Sequence, residues 1–225
     1  MKIKEKLSLT RPRPTTDLSI RQQLLRTLLI CLLGVILGFV SKYIDVLPHY
    51  GGLGDFLNLL SDISSRIGIW IFIATLLAAW SRTPAAAAIQ VFLFFIALLL
   101  TYYLYAILVF GFFPTRYFLL WGSIAVVSPI AAYIIWYSRG KGWIAAICAA
   151  LPIGALVAAG YGFLHTFSVT QGFELVLALL LYVMIPTGQK FQRLRLIPLI
   201  VVVCFIFRKF NLISLLLGAL YKWMI

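Results

Sequence analysis

Six long apolar stretches, joined by short polar links, restrict the fold of this chain more than any other feature. Hydrophobic residues make up 63% of the chain and charged residues 11%, so a water-soluble domain would lack the polar residues to cover its surface. A membrane-spanning helix needs about 20 residues, and the chain has 225. We therefore expect an all-α, polytopic transmembrane helical bundle with six or seven spans.

The apolar stretches predict six spans, at residues 25–44, 63–80, 85–112, 117–137, 143–164 and 173–185. Pro129 lies inside the fourth span and predicts a kink there, because proline removes a backbone hydrogen bond. The link between the first two spans contains several glycines, which indicate a break in the helix. After them, Asp55 is predicted to cap a short amphipathic helix at the membrane surface, with an apolar side formed by Phe56, Leu59, Leu60 and Ile63.

The C-terminal segment allows two predictions. Residues 197–207 give only 11 apolar residues before Arg208 and Lys209, which corresponds to about 17 Å of helix, whereas the bilayer core is about 30 Å thick. Either residues 194–220 form a seventh span with both charges reaching toward the membrane surface, or the tail is a broken, re-entrant or surface-lying helical pair. We favour a seventh crossing with a break near Arg208.

The basic residues predict how the chain is divided and oriented. Residues 1–24 are expected to form a basic cytoplasmic tail, and residues 25–225 a single transmembrane domain. With the N-terminus inside, 13 of the 19 basic residues fall on the cytoplasmic side, as the positive-inside rule requires. The acidic residues of the links fall mainly on the outer side: Asp45, Asp55, Asp62 and Glu174.

Small residues mark two helix faces that are suited to close packing. The first span contains the GxxxG pair Gly34 and Gly38, a motif that lets another backbone approach closely. The fifth span has small residues at every fourth position, which predicts a central helix: Ala146, Ala150, Gly154, Ala158 and Gly162. Such faces pack against other helices of the same chain or against a partner membrane protein.

Polar and aromatic residues collect at the predicted outer end of the bundle. The candidate ligand-binding residues are Arg66, Tyr102, Tyr103, Tyr105, Arg116, His165 and Glu174. In an outward-facing pocket, the arginines would hold an anionic group, and the tyrosines would stack on a ligand or hydrogen-bond to it. The alternative is an interfacial belt, because tyrosine and charged residues gather at helix ends in most membrane proteins.

The sequence does not predict an enzyme. With two histidines in the whole chain, an HExxH metal site is impossible. The segment 52–55 resembles the GxGD motif of intramembrane aspartyl proteases, but those enzymes need a second aspartate in another span, and the last aspartate of this chain is Asp62. The three cysteines are isolated in apolar runs and predict no metal or cofactor site: Cys31, Cys148 and Cys204.

The net charge of +13 does not predict nucleic-acid binding, because the basic residues flank apolar spans, where they set topology. The expected partners are the lipid bilayer and either a small-molecule ligand or another membrane protein.

Four blocks of the sequence resemble a family of small bacterial multispanning proteins of unknown function. These blocks are residues 64–70, 80–84, 101–105 and 111–116, and the likeness covers roughly residues 27–187. The resemblance implies a bacterial cytoplasmic membrane and a bundle of six to seven helices, with no catalytic residue to transfer. In architecture alone, the chain is also similar to the substrate-binding membrane subunits of energy-coupling-factor vitamin importers, which is a thin basis for function.

Three functions follow as hypotheses. The leading one is a membrane protein that binds or transports a small solute through the outward-facing pocket. The second is a non-catalytic scaffold or accessory subunit, whose small-residue faces pack against partner helices. The third is an intramembrane hydrolase that uses Asp55 and Asp62.

Overall fold

The computed structural model describes residues 10–12, 19–47, 52–185 and 190–211, and every regular element within these ranges is helical. The all-α fold class is thus confirmed for this part of the chain. In chain order the helices are α1 (Ile20–Val46), α2 (Gly52–Ser65), α3 (Ile67–Trp80), α4 (Pro84–Phe110), α5 (Thr115–Trp136), α6 (Gly142–Gly160), α7 (Phe163–Thr166), α8 (Val169–Met184) and α9 (Lys190–Lys209), with a 3-10 turn at Tyr137–Arg139 after α5.

Length and composition make this a membrane-embedded helical protein. Four segments are long and apolar enough to cross a bilayer: α1, α4, α5 with its 3-10 turn, and α6 with α7. Helices α2 and α3 meet the same criterion only as a pair, and they are bent by 62° at the break between them. Helix α8 is apolar but has 16 residues, or about 24 Å.

Local signals fix the two ends of α4. At its start, the hydroxyl of Thr83 accepts a hydrogen bond from the amide of Ala86 at 3.1 Å, and Pro84 occupies the first helical turn. Both features favour helix initiation. At its end, Gly111 adopts a left-handed conformation with φ of 62°, which only glycine adopts without strain. The predicted third span, 85–112, therefore agrees closely with α4.

The predicted second span, 63–80, is wrong at its beginning. Helix α2 continues to Ser65, Arg66 has extended backbone angles, and α3 begins at Ile67. Helix α3 has 14 residues, about 21 Å. The glycines at 52 and 54 lie inside α2, so Asp55 belongs to the first turn of that helix instead of capping it. An acidic residue there is still favourable, because it faces the positive end of the helix dipole.

The amphipathic side predicted for α2 is only partly buried. Leu59, Leu60 and Ile63 are half-buried against the rest of the protein. Phe56, which the sequence placed on the same side, is 58% exposed. Helix α2 therefore rests on the bundle along one edge, and Phe56 points away from it.

Two groups of buried side chains form the interior, and α3 lies between them. One surrounds α4 with residues of α3 and α5, and the other surrounds α6 with residues of α8 and α9. Ile69 of α3 packs against both groups, and Thr75, Ala78 and Ala79 on the same helix are fully buried. Helix α6 has the largest buried share of the four long spans, 56%, so the small-residue helix is the most enclosed of them.

Helix α9 runs beside α6 over the length of that helix. At one end, the side-chain amide of Gln192 donates to the carbonyl of Gly142 at 2.9 Å. At the other end, the guanidinium of Arg208 lies 3.4 Å from the centre of the Tyr161 ring. The predicted break near Arg208 agrees with the end of α9 at Lys209, where Phe210 and Asn211 form a turn and Asn211 has a φ of 46°. Residues 212–225 lie outside the described ranges.

The small-residue faces are used within the chain. A Cβ atom added at Gly34 would lie 2.5 Å from the carbonyl oxygen of Phe94, and one at Gly38 would collide with the carbonyl of Leu98. A Cβ atom added at Gly154 would lie 2.5 Å from Val203 of α9. The first pair therefore packs on α4, and the α6 face packs on α8 and α9. Ala146 and Ala150 are fully buried there, Ala158 is half-buried, and Gly162 contacts Gln171.

Candidate functional site

A cavity of about 670 Å³ opens where α1 and α4 end and where α3 and α5 begin. We call it the aromatic cavity, because most of its larger lining side chains are aromatic: Trp70, Tyr102, Tyr103, Phe110, Phe112, Tyr117 and Trp121. Its polar lining comes from the end of α1 and from the α2 segment before the bend: Ser41, Lys42, Asp45, Ser64 and Ser65. Apolar walls with a few polar groups are typical of small-molecule sites.

Asp45 connects three helices at the edge of the aromatic cavity. Its Oδ2 atom accepts a hydrogen bond of 2.6 Å from the hydroxyl of Tyr102 on α4, and its Oδ1 atom accepts one of 2.9 Å from the hydroxyl of Ser61 on α2. Hydrogen bonds to a charged acceptor are stronger than those between neutral groups. Asp45 therefore holds α2 and α4 against the end of α1.

Lys42 lies one helical turn before Asp45 and brings a positive charge to the same cavity. Its ammonium is 4.9 Å from the centre of the Tyr102 ring and 5.5 Å from that of Phe110. Both distances are within the range of a cation–π contact. Within the described part of the chain, no carboxylate lies within ion-pair distance of Lys42. The ammonium is thus held by ring faces and is available to an anionic group.

Tyr103 contributes a rigid aromatic wall. Its ring packs on Phe113 and Phe118 with ring centres 5.6 and 5.1 Å apart, and on Tyr102 at 5.1 Å. Edge-to-face arrangements of this kind fix ring positions at low entropic cost. The residue is 3% exposed, and its hydroxyl makes no hydrogen bond with any residue that the structure describes.

The bend between α2 and α3 shapes the side of the cavity opposite α4. The indole Nε1 of Trp70 donates a hydrogen bond of 2.8 Å to the carbonyl of Ser64. Because the chain is extended at Arg66, that carbonyl has no helical partner further along α2, and the indole takes its place. This bond fixes the angle at which α2 meets α3 and keeps Trp70 in the cavity wall.

Arg66 turns away from the aromatic cavity and pairs with Glu174 of α8. The Nε atom of Arg66 lies 2.6 Å from Oε1 of Glu174, whose side chain is 3% exposed while that of Arg66 is 35% exposed. Gly68 makes room for the carboxylate, since a Cβ atom at this position would lie 2.7 Å from Oε2. The carboxylate therefore lies against the first turn of α3, where the helix dipole favours a negative charge.

The sequence-predicted ligand residues do not form one pocket. Tyr102 and Tyr103 line the aromatic cavity, whereas Arg66 and Glu174 form an ion pair beside it. Tyr105 packs edge-on against Phe39 of α1, with ring centres 5.3 Å apart.

Two further predicted residues are exposed. Arg116 lies in the first turn of α5 and does not line the cavity. The ring of His165 is exposed and lies 5.6 Å from that of Tyr161, near the end of α6. These side chains share one end of the bundle, as the sequence indicated, but they lie on different sides of it.

Lys42 and Asp45 line the cavity although, of the polar residues expected at the outer end, they were not among the predicted ligand residues. Their spacing indicated a shared site, because two residues that are three positions apart at the end of a helix lie on the same face. Trp70, Tyr117 and Trp121 were also missed, because aromatic residues near helix ends are common in membrane proteins. In the part of the chain that the structure describes, no three metal-ligating side chains come together.

A separate polar cluster closes the opposite end of the bundle around Arg11. Its guanidinium donates to the carbonyls of Ala79 and Ser81 at the end of α3, at 3.0 and 3.4 Å, and to the carbonyl of Trp136 at the end of α5. It also lies 4.2 Å from the centre of the Trp136 ring. Burial, with the nearby charge of Arg139, lowers the pKa of Arg11 to about 10. Residues 10–12 thus pack on the bundle and provide donors for carbonyls that helix ends leave unpaired.

Comparison with known proteins gives the family but no function. The chain matches the model of a family of unknown function (DUF6518) over residues 17–219. Because the match covers most of its length, the chain belongs to that family, and the expected membership of an uncharacterised family is confirmed. No curated protein and no solved structure matches the chain.

Proposed function

We propose that this member of the DUF6518 family binds a small amphipathic organic anion in the aromatic cavity. The observation that carries the proposal is Lys42, whose ammonium contacts only ring faces among the described residues and lies in the wall of a cavity large enough for a ligand. A cation in a partly apolar environment attracts an anion more strongly than one in water. The anionic group would lie at Lys42, and the apolar body among the aromatic rings.

The size and lining of the cavity indicate the class of ligand. Its volume of about 670 Å³ is within the range of small-molecule pockets. Flat rings of Trp70, Tyr117 and Trp121 suit a planar or aromatic body. Asp45 lies in the same wall but is not within ion-pair distance of Lys42, and its oxygens accept hydrogen bonds from Ser61 and Tyr102. An aromatic carboxylate combines the required charge and shape.

Helix α2 is the element that would admit the ligand. Three contacts hold this helix and its bend in place: the Ser61 hydrogen bond to Asp45, the indole bond from Trp70 to Ser64, and the Arg66 ion pair to Glu174. Ser64 and Ser65 form the cavity wall between these contacts. Movement of the solute across the membrane is a further step of the same proposal, and it would begin with displacement of α2.

The proposal includes a topology of seven crossings with a cytoplasmic N-terminus, as expected for a bacterial cytoplasmic membrane. The length of α9 supports the seventh crossing, since this helix accompanies α6 between Gly142 and Tyr161. The charges support the orientation, because most of the basic residues that the structure describes lie at the end opposite the aromatic cavity, as the positive-inside rule requires of a cytoplasmic end. The aromatic cavity then opens to the outside.

The scaffold hypothesis is less well supported. It relied on small-residue faces that partner helices might use, and Gly34, Gly38 and Gly154 pack instead on α4 and α9 of the same chain. The absence of enzymatic activity stays a prediction, and so does the absence of a cofactor.

Thermal unfolding of the detergent-purified protein tests the binding proposal. The probes are benzoate, 2-naphthoate and indole-3-acetate, each compared with the neutral alcohol of the same shape. We expect the carboxylates to raise the Tm and the alcohols to leave it unchanged. Lys42→Gln should abolish the increase, whereas Lys141→Gln, which removes an exposed lysine at the opposite end, should preserve it. An equal increase in the Lys42→Gln variant would contradict the proposal.

A further inference from the structure

A second, smaller groove lies at the opposite end of the bundle, between α1, α3 and α8. Its volume is about 330 Å³, and its lining is apolar apart from one arginine: Arg26, Leu29, Ile30, Leu76, Leu77, Trp80 and Met184. The groove exists because α1 packs on α4 while α8 packs on α6 and α3, so that none of the described helices covers one side of α3. In a membrane protein this uncovered side faces lipid.

Arg26 brings a cation to the polar end of this groove. Its Nη2 atom donates a hydrogen bond of 2.6 Å to the carbonyl of Trp80, the last residue of α3. A guanidinium has five N–H donors in a planar fork, which suits two oxygens of one phosphate. The bond to Trp80 fixes the position of the guanidinium, so that a phosphate meets donors that are already oriented.

Two more guanidinium groups lie near the polar end of the groove. Arg139 lies over the Trp80 ring at 4.4 Å, and Arg193 donates to the carbonyl of Val183 at 3.4 Å, next to Met184. At this end of the bundle, every charged side chain that the structure describes is basic, whereas the four described carboxylates lie at the other end. The groove therefore lies in a positive potential that favours an anionic headgroup.

We infer that this groove binds an anionic phospholipid, with its phosphate on Arg26 and one acyl chain along Leu29, Leu76 and Met184. The apolar lining favours a lipid over free phosphate, because a free phosphate gains nothing from those side chains. The cluster of arginines favours an anionic headgroup over a zwitterionic one, since the latter adds a positive charge of its own. The inference is independent of the ligand proposed for the aromatic cavity.

Native mass spectrometry of the full chain in a neutral detergent measures this binding. The probes are phosphatidylglycerol, phosphatidylcholine with the same acyl chains, and inorganic phosphate. We expect phosphatidylglycerol to bind at least tenfold more tightly than phosphatidylcholine, and phosphate alone not to be retained. Arg26→Gln should weaken phosphatidylglycerol binding about tenfold, as expected for loss of one charged hydrogen-bonding partner.

Two matched controls distinguish a site from general charge attraction. Arg21→Gln removes an exposed arginine of α1 that does not line the groove, and it should leave lipid binding unchanged. Leu29→Trp should block the groove, whereas Leu28→Trp, at a neighbouring position outside it, should not. Equal losses for Arg21→Gln and Arg26→Gln would overturn the inference, as would unchanged binding in Leu29→Trp or equal binding of phosphatidylcholine.

Discussion

The Nε atom of Arg66 lies 2.6 Å from the Oε1 atom of Glu174, and the two residues are 108 positions apart in the chain. The pair joins the bend between α2 and α3 to α8. It gives the buried carboxylate a charged partner, without which burial would be costly. Because Arg66 turns toward α8, Ser64 and Ser65 on the preceding turn are left to line the aromatic cavity.

Removing the arginine should destabilise the protein more than neutralising the carboxylate. Arg66→Gln leaves a carboxylate that is 3% exposed without its cation, and we expect a loss of about 2 kcal/mol in unfolding free energy. Glu174→Gln should cost less, because a neutral amide is cheaper to bury. Denaturant unfolding in mixed micelles measures both changes. The exposed carboxylate Asp62 supplies the control, and Asp62→Asn should change little. A larger loss for Glu174→Gln than for Arg66→Gln would contradict this assignment.

The bend at Arg66 could not be predicted from the hydropathy of the sequence. Apart from Ser64, Ser65, Arg66 and Thr75, residues 63–80 are apolar, so hydropathy predicts one straight span. The break is held by the indole bond from Trp70 to Ser64 and by the ion pair of Arg66 with a residue on a distant helix, and hydropathy contains neither contact. In contrast, Thr83, Pro84 and Gly111 act within the chain next to the helix ends that they fix, and the span predicted at 85–112 agrees closely with α4.

The aromatic cavity was predictable only in part, for a related reason. Tyr102, Tyr103 and Tyr105 are close neighbours in the sequence, but α1 packs on one side of α4 through Gly34 and Gly38 and places Phe39 against Tyr105. The sequence indicates which end of the bundle is polar, but the packing of the helices determines which side chains at that end contact one another.

The two neighbouring tyrosines should respond differently to loss of the hydroxyl group. Tyr102→Phe removes the hydrogen bond to Asp45 and should lower the unfolding free energy by about 1–2 kcal/mol. Tyr103→Phe removes a hydroxyl that has no hydrogen-bond partner among the described residues, so the unfolding free energy of this variant should be nearly unchanged. Its binding of 2-naphthoate should weaken. Unfolding and ligand titration on both variants separate the effects. Equal stability losses would show that Tyr103 has a structural partner instead.

Close packing between α1 and α4 should make Gly38 intolerant of a side chain. Gly38→Ala places a Cβ atom against the backbone of Leu98, and we expect a loss of about 1–3 kcal/mol from overpacking. Gly122→Ala is the matched control, because a Cβ atom there meets no atom within 4 Å. That substitution should be neutral or stabilising by up to about 1 kcal/mol. Equal effects of the two substitutions on unfolding would contradict the α1–α4 contact.

Arg11 should stabilise the end of the bundle through the geometry of its guanidinium as well as its charge. Arg11→Lys keeps the charge but provides one ammonium in place of a planar fork, which cannot reach the carbonyls of both α3 and α5. We expect a loss of about 2 kcal/mol in unfolding free energy. Arg21→Lys, on the exposed side of α1, should have no effect. Full stability in the Arg11→Lys variant would show that charge alone is sufficient.

Labelling of Ser65→Cys tests the central claim most directly, that an outward-facing cavity beside the α2–α3 bend binds an organic anion. Cys31, Cys148 and Cys204 are first replaced by serine, and intact cells are treated with a membrane-impermeant maleimide. We predict that Ser65→Cys reacts from outside and is protected by 2-naphthoate, while Lys141→Cys reacts only after permeabilisation. No labelling of Ser65→Cys in intact cells, or labelling that 2-naphthoate does not slow, would contradict the account.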